Sequence, residues 1–161
     1  MCAQKLSFDY AHTLHTVRIV HNAHSVHRSR VQKGKSCDCI NFVRATDPCC
    51  GTAGFLIAAM HNMLAKTEND AQKKSIRQKQ LHGIEMRPNM FTIATTNMIL
   101  RGDGKSNLIN DDFFKQDANK LQLKQSTVGM MNPPYSQGSK QNPDLYEMSF
   151  VEHLLDSLVT G

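Results

Sequence analysis

Short apolar segments alternate with helix-like segments from residue 39 to the end of the chain. Four segments have the length and apolar content of buried strands: residues 39–45, 81–85, 107–109 and 126–131. Three segments have the spacing of apolar residues expected of helices: residues 54–64, 88–100 and 145–159. Strands that alternate with helices usually pair in parallel through right-handed crossovers. The sequence therefore predicts an α/β domain with a mostly parallel sheet and flanking helices. The polar segment 67–80 fits either a surface helix or a loop.

A polar side chain lies at or just after the end of each of the four predicted strands. In chain order these residues are Asp47, Glu85, Asp111 or Asp112, and Asn132. Ligands of open parallel sheets bind outside the carboxyl ends of the strands. We therefore expect these polar residues to line one crevice.

The composition excludes several classes of protein. Of the 161 residues, 40% are hydrophobic and 20% are charged, which is typical of one globular domain. No apolar segment approaches the roughly 18 residues of a membrane span, and the first residues do not resemble a secretory signal. Five cysteines without such a signal indicate reduced thiols in a cytoplasmic protein. The net charge of +5 permits binding to a polyanion, although the basic segments 28–35 and 73–79 are more typical of solvated surfaces than of phosphate contacts.

The segment DPCCGTAGF (residues 47–55) joins the first predicted strand to the first predicted helix through small residues. Small residues let a ligand approach the backbone, and the start of a helix offers N–H groups without partners. The segment has neither the GxGxxG pattern of dinucleotide-binding sites nor the lysine of a phosphate-binding loop. Taken alone, it fits an ordinary strand-to-helix turn equally well.

The segment NPPY (residues 132–135) follows the fourth predicted strand. Its two prolines predict a stiff loop with few backbone donors. Asn132 offers an amide carbonyl that can accept a hydrogen bond from an amino group, and Tyr135 offers a flat face on which a ring can stack. The pattern suits a planar substrate with an exocyclic amine. The simpler alternative is a proline turn with a packed tyrosine.

Together, the two segments resemble motifs of the amino-group DNA methyltransferases, and most of all the modification subunits of type I restriction systems. DPCCGTAGFLI resembles the cofactor motif DPxCGTGGFL of those subunits, and NPPYS resembles their catalytic motif, [DNS]PP[YF]. HGIEMRPNMFTIATTNMILRGDG (residues 82–104) and YEMSFVEHLLDSL (residues 146–158) are similar to the family's segments between and after these motifs. The resemblance covers residues 43–161. It implies part of a Rossmann-like catalytic domain that uses S-adenosylmethionine.

The resemblance also implies roles for individual residues. The cofactor-binding residues would be Asp47, Pro48, Cys50, Gly51, Thr52, Gly54, Phe55, Glu85, Asp111 and Asp112. Asp47 and the turn 51–54 would hold the methionine end of the cofactor, and Glu85 would accept hydrogen bonds from its ribose. Asp111 or Asp112 would meet its adenine, with Asp112 favoured because two phenylalanines follow it. The catalytic residues would be Asn132, Pro133, Pro134 and Tyr135.

The implied activity is transfer of a methyl group to the exocyclic amino group of adenine in DNA, on a base flipped out of the duplex. The implied partners are DNA and the specificity and restriction subunits of such a system, with no membrane and no metal. Two alternatives remain open. One is a non-catalytic remnant that keeps the fold or an assembly role, and the other is a methyltransferase that acts on RNA or on protein glutamine.

The sequence departs from the family pattern in three places. Ala53 stands where the family has glycine, so its methyl group would press on the cofactor or on a backbone with positive φ, unless φ is negative. Residues 1–42 do not match the family and predict a separate irregular or helical segment, with a weak helical pattern at 10–33. The histidines in this segment lack the spacing of metal ligands; they are His12, His15, His21, His24 and His27. The chain ends before the remaining strands of a complete sheet, which predicts a fragment with an open sheet edge.

Overall fold

The computed structural model describes residues 18–21, 43–102, 107–123, 126–134, 141 and 147–158. Its strands are β1 (Arg18–His21), β2 (Ala45–Asp47), β3 (Leu81–Ile84), β4 (Asn107–Ile109) and β5 (Val128–Met131). Its α-helices are α1 (Gly54–Leu64), α2 (Asp70–Lys79), α3 (Pro88–Ile99), α4 (Ala118–Leu123) and α5 (Glu147–Ser157), and a 3-10 helix spans Phe113–Lys115.

The strands form one sheet in the order β1-β5-β2-β3-β4. β5, β2, β3 and β4 run parallel, and β1 is antiparallel to β5. Helices connect the parallel strands, so their carboxyl ends share one edge of the sheet. The predicted α/β fold with a mostly parallel sheet is confirmed.

The segment before residue 34 differs from the prediction. The helix predicted from the weak pattern at 10–33 is wrong for residues 18–21, because these residues form β1. The other residues of that range lie outside those described. Ile19 and Val20 of β1 pair with Met130 and Gly129 of β5. Strand formation here depends on this distant partner, because pairing within a sheet overrides a weak local periodicity. β1 also covers the edge of β5 that faces away from β2.

The strand predicted at 39–45 lies at the carboxyl end of that range and extends beyond it, at Ala45–Asp47. The polar residues Thr46 and Asp47 suggest the end of a strand, yet both are buried in β2. The hydroxyl of Thr46 is hydrogen-bonded to that of Ser126 across to the segment before β5, which satisfies its polar group inside the domain.

Two apolar clusters lie on opposite faces of the sheet. Alternate residues of β5 divide between them, because Val128 and Met130 belong to the larger cluster and Met131 to the smaller. α1, α2 and α3 supply the larger cluster, and α5 with the 3-10 helix supplies the smaller. A Cβ atom at Gly129 would lie 2.8 Å from Cδ2 of Leu154, so glycine lets α5 pack closely on β5, and a larger residue would force the Leu154 side chain to move.

The helices that flank the crevice edge begin at well-defined residues. Asn69 caps α2 by accepting hydrogen bonds from Ala71 N and Gln72 N at 2.9 and 3.3 Å, so the segment left open between helix and loop is helical. Pro88 begins α3, where its missing N–H costs no hydrogen bond. α1 has no side-chain cap and begins directly after the small-residue turn. Its first N–H groups therefore face the carboxyl edge of the sheet.

Candidate functional site

Four predicted site segments meet at the carboxyl edge of the sheet. Asp47 ends β2, Glu85 follows β3, Asp111 is the second residue after β4, and Asn132 follows β5. The strand order brings Asn132 beside the Asp47 turn, the Asp47 turn beside Glu85, and Glu85 beside the Asp111 segment. The turn 47–54 and Asn132 thus follow two adjacent parallel strands. We refer to this edge as the crevice.

Asp47 lies beneath the turn and not on the surface of the crevice. Its side chain is 1% exposed, and Oδ1 accepts a hydrogen bond from Cys49 N at 3.1 Å. Oδ2 is buried and has no hydrogen-bond partner among the described residues. Burial raises the pKa of Asp47 to about 7, the Cys49 N–H opposes this rise, and the charge of Glu85 adds to it.

The small-residue turn packs against the end of β3. Cys50 N donates to Ile84 O at 3.0 Å, and Gly51 N donates to the Oε2 atom of Glu85 at 3.0 Å. Gly51 and Ala53 both have positive φ, at 54° and 67°. Glycine adopts such a φ readily, so the strain lies at Ala53, which its neighbours hold in a conformation that alanine would not prefer alone.

Glu85 joins the turn to the start of α3. It is 8% exposed, and its Oε1 atom accepts a hydrogen bond from Arg87 N at 2.8 Å while Oε2 binds Gly51 N. Both oxygens therefore contact backbone N–H groups. Each carboxylate oxygen has two lone pairs, so Glu85 retains capacity to accept a further hydrogen bond.

The two candidate aspartates after β4 have different local bonds. Asp112 caps the 3-10 helix, because its Oδ1 atom accepts from Phe114 N at 3.1 Å. Asp111 accepts from Asp112 N at 2.8 Å through Oδ1 and from the side-chain amide of Gln116 through Oδ2. Among the described residues, Asp111 thus has bonds at both oxygens, and Asp112 has a bond at Oδ1 alone.

The segment after β5 is described only as far as Pro134. Asn132 is exposed, Pro133 is buried, and Pro134 is half-buried. Tyr135 lies outside the described residues. The structure therefore places the candidate acceptor Asn132 at the crevice and leaves the stacking role of Tyr135 as a prediction.

The sequence matches the N-6 DNA methylase family over residues 39–155. The chain belongs to the N-6 DNA methylase family. It is also 50% identical, over 116 residues, to the type II restriction enzyme and methyltransferase RM.BcgI of Heyndrickxia coagulans. That alignment covers 71% of this chain and 18% of the relative, so the chain spans less than a fifth of its length.

Solved structures give the same fold as this N-6 DNA methylase chain. A chain of a type I restriction–modification system superposes with a TM-score of 0.61 at 19% identity, covering 73% of this chain and 26% of the other. A modification subunit of a putative type I restriction enzyme from Vibrio vulnificus YJ016 superposes with a TM-score of 0.58 at 17% identity, covering 71% and 26%. Within the described residues, no helix of the N-6 DNA methylase chain is long and apolar enough to cross a membrane.

Ala53 of this N-6 DNA methylase chain adopts the conformation that glycine favours. A negative φ would have let alanine replace glycine without strain, but the φ of Ala53 is 67°. The residue is fully buried and belongs to the larger apolar cluster, so its methyl group contributes to the core. The departure from glycine therefore affects the backbone of the turn.

The two cysteines of the turn are free thiols. Burial raises the pKa of both Cys49 and Cys50 far above the usual range, and the charges of Asp47 and Glu85 raise them further. Thiols in this state are poor nucleophiles and poor metal ligands. Among the described residues, no group of His, Cys, Asp and Glu side chains is arranged to hold a metal ion. Of the five histidines before residue 28, only His21 is described.

Four residues at the crevice were not identified from the sequence as site residues. Asn97 binds the small-residue turn, Asn110 binds the loop after β3, Gln116 binds Asp111, and Met86 beside Glu85 is 59% exposed. Asn97 falls in the NM pair of the resembling segment, which is a signal in the sequence. The Asn110 bond depends on the pairing of β3 with β4, which no local pattern reveals, whereas Gln116 lies five residues from Asp111 and Met86 directly follows Glu85.

Proposed function

We propose that this chain is the part of a DNA methyltransferase that binds S-adenosylmethionine and presents the acceptors for an adenine amino group. The observation that supports this most directly is the adjacency of β2 and β5. It sets the small-residue turn and Asn132 at neighbouring positions on one edge. Methyl transfer requires such proximity, because the methyl donor and the amine must be held within bonding reach.

The residues at the turn fit the charged end of S-adenosylmethionine. Oδ2 of Asp47 is a buried acceptor without a partner in the described part of the chain, and a buried polar atom of this kind usually has a hydrogen-bond donor. The ammonium group of the cofactor would be such a donor once the turn shifts to open Oδ2 to the crevice. The N–H groups at the start of α1 suit its carboxylate.

The other end of the crevice fits the nucleoside part of the cofactor. The Glu85 carboxylate has lone pairs left to accept hydrogen bonds from ribose hydroxyls. Asp112 is the better candidate for the adenine amino group, because it has a bond at only one oxygen among the described residues, whereas Asp111 has bonds at both. The exposed side chain of Met86 offers an apolar surface next to Glu85 for the adenine ring.

The residues after β5 would orient the target base. The adenine is inaccessible in a stacked duplex, so it enters the crevice as a flipped nucleotide. The side-chain carbonyl of Asn132 and the backbone carbonyl of Pro133 would accept hydrogen bonds from its amino group, and Tyr135 would stack on the ring. These bonds direct the nitrogen lone pair and stabilise the positive charge that develops on nitrogen. Bound S-adenosylmethionine supplies an electrophilic methyl group for direct transfer.

The partners we propose are those of restriction–modification systems, to which the relative and the structural neighbours belong. The chain covers 18% of the restriction enzyme and methyltransferase and 26% of each structural neighbour. We propose that full activity requires DNA and the further parts of a restriction–modification system, including its specificity and restriction functions. Membership in the N-6 DNA methylase family favours adenine in DNA over RNA or protein glutamine as the substrate. The cytoplasm is the expected compartment.

A remnant without activity is the second candidate, and Ala53 is the observation that favours it. Alanine at a φ of 67° strains the turn that would bind the cofactor. Calorimetric titration with S-adenosylmethionine separates the two candidates. We expect saturable binding by the wild-type chain, a loss of at least tenfold in affinity for Asp47→Ala and Glu85→Ala, and no change for the exposed control Glu152→Gln. A folded wild-type chain that binds no cofactor would support the remnant.

A second experiment addresses the substrate. The chain is incubated with S-adenosylmethionine and unmethylated genomic DNA, and N6-methyladenine is measured by mass spectrometry after digestion of the DNA. We expect Asn132→Ala to abolish the product and the surface control Asn119→Ala to leave it unchanged. Cofactor binding without any methylated base would restrict this chain to the binding half of the reaction.

A further inference from the structure

We propose that Asn97 and Asn110 are positioning residues whose side-chain amides fix the two walls of the cofactor crevice. The first wall is the small-residue turn, and the second is the loop after β3. Nδ2 of Asn97 donates to Thr52 O at 3.1 Å, and Nδ2 of Asn110 donates to Glu85 O at 2.7 Å and to Met86 O at 3.2 Å. This inference rests on the proposed function, because it assigns the walls to cofactor binding.

Asn97 holds a peptide group that has no support from regular secondary structure. The peptide between Thr52 and Ala53 donates from Ala53 N to Cys50 O at 2.7 Å and accepts at Thr52 O from Asn97. Both ends of this peptide are thus fixed. It leads into Ala53, whose positive φ is strained, so the chain would otherwise relax here. Its orientation sets the direction of the first N–H groups of α1.

Asn110 holds the backbone that carries Glu85. Glu85 N donates to Ile109 O at 3.0 Å, and Glu85 O accepts from Asn110, so the residue is fixed on both sides by the end of β4. The second bond, to Met86 O, fixes the next peptide as well. The carboxylate of Glu85 and the exposed side chain of Met86 therefore share one anchor.

The chemistry of the amide group makes the proposal testable. Each bond needs an N–H donor directed at a backbone carbonyl, and aspartate has the same shape without the donor. In Asn97→Asp and Asn110→Asp a carboxylate oxygen would face a carbonyl oxygen, which repels it. The change removes the anchor without creating a cavity.

The sheet also supplies a matched control. Nδ2 of Asn107 donates to Gln78 O at 3.0 Å, which is the same kind of bond between a side-chain amide and a backbone carbonyl. Asn107 begins β4, so this bond lies at the opposite edge of the sheet from the crevice. A purely structural contribution of such a bond should be similar at all three positions.

The experiment measures thermal stability and affinity for S-adenosylmethionine in the wild type, Asn97→Asp, Asn110→Asp and Asn107→Asp. We expect similar small decreases in Tm for the three variants. Asn97→Asp and Asn107→Asp each lose one hydrogen bond, and Asn110→Asp loses two that share one donor group. We expect ~3- to 10-fold weaker binding for Asn97→Asp and Asn110→Asp alone, which is the effect of one net hydrogen bond. Unchanged affinity in both variants, or an equal loss in Asn107→Asp, would overturn the proposal.

A second readout keeps this test separate from the proposed function. Amide hydrogen exchange of the free protein reports the walls directly, because local opening accelerates it. We expect faster exchange at Ala53 N–H in Asn97→Asp and at Glu85 N–H in Asn110→Asp, with neither change in Asn107→Asp. If the wild type binds no cofactor, the proposed function fails and exchange still decides whether the amides fix the walls. Unchanged exchange at both sites would refute the positioning role whatever the cofactor result.

Discussion

The two walls of the crevice hold their polar groups in opposite ways. The small-residue turn contains two residues with positive φ and covers a buried aspartate whose Oδ2 atom has no partner within the described chain. The loop after β3 has no positive φ, and both oxygens of Glu85 accept hydrogen bonds from backbone N–H groups. The first wall is strained and incompletely paired, and the second is paired. Strained backbone and unpaired polar groups are common at sites where a bound ligand supplies the missing contacts. We therefore expect the turn to adapt when a ligand binds and the loop after β3 to stay rigid.

The largest expected effect is a pH dependence of stability that originates at Asp47. Burial raises the pKa of this carboxyl to about 7 from 3.8, so the folded state holds a proton that the unfolded state releases. The unfolded state binds fewer protons between these values, and stability therefore falls as pH rises from about 4 to 7. The difference in pKa corresponds to at most ~4 kcal/mol.

Asp47→Asn should remove this dependence, because the amide cannot ionise and still accepts the bond from Cys49 N. Urea unfolding of wild type and variant at pH 5, 6, 7 and 8 measures the effect. We expect the variant to become more stable relative to the wild type at each step toward pH 7, and the difference to level off above it. Parallel pH profiles of the two proteins would show that Asp47 is paired or solvated, and the contrast between the walls would disappear.

The second effect concerns the strained backbone at Ala53. Ala53→Val places a β-branched side chain at a φ of 67° in a fully buried position, and we expect a loss of ~3 kcal/mol from the backbone and from overpacking. Ala53→Gly relieves the backbone by ~1 kcal/mol. It also loses a buried methyl group and frees the unfolded chain, which together cost a similar amount. Its stability should therefore stay close to that of the wild type.

Denaturant unfolding of the two Ala53 variants provides the measurement, and Ala58→Val at a half-buried position within α1 is a control for β-branching where φ is helical. Equal losses for Ala53→Val and Ala58→Val would mean that the turn carries no special strain. A marked gain in stability for Ala53→Gly would mean that the buried methyl group contributes little to the core.

Local features of this fold could be predicted from the sequence, whereas contacts between distant segments could not. The strand at 107–109 and the polar residues at four strand ends follow from local patterns, because apolar runs and the polar residues that end them are local properties. Strand order in parallel sheets then places those ends together. The bond from Gly51 N to Glu85 and the bond from Asn110 to Glu85 O join segments 34 and 25 residues apart, and no pattern in either segment reports them. β1 was missed for the same reason, since its partner β5 lies more than a hundred residues away.

The smallest expected effect is that of Glu85→Gln. It is the most direct test of the comparison, because the same change from acid to amide is made at Asp47 on the other wall. Glu85→Gln replaces one of two accepting oxygens with an NH₂ group, which then faces Gly51 N–H or Arg87 N–H, a donor against a donor. We expect a loss of ~2 kcal/mol at pH 8, the scale of a hydrogen bond to a charged group. Asp47→Asn should change stability in the opposite direction, because relative to the wild type it should be more stable at pH 8 than at pH 5. If Asp47→Asn and Glu85→Gln change the free energy of unfolding in the same direction at both pH 5 and pH 8, the two walls do not differ in how their carboxylates are hydrogen-bonded.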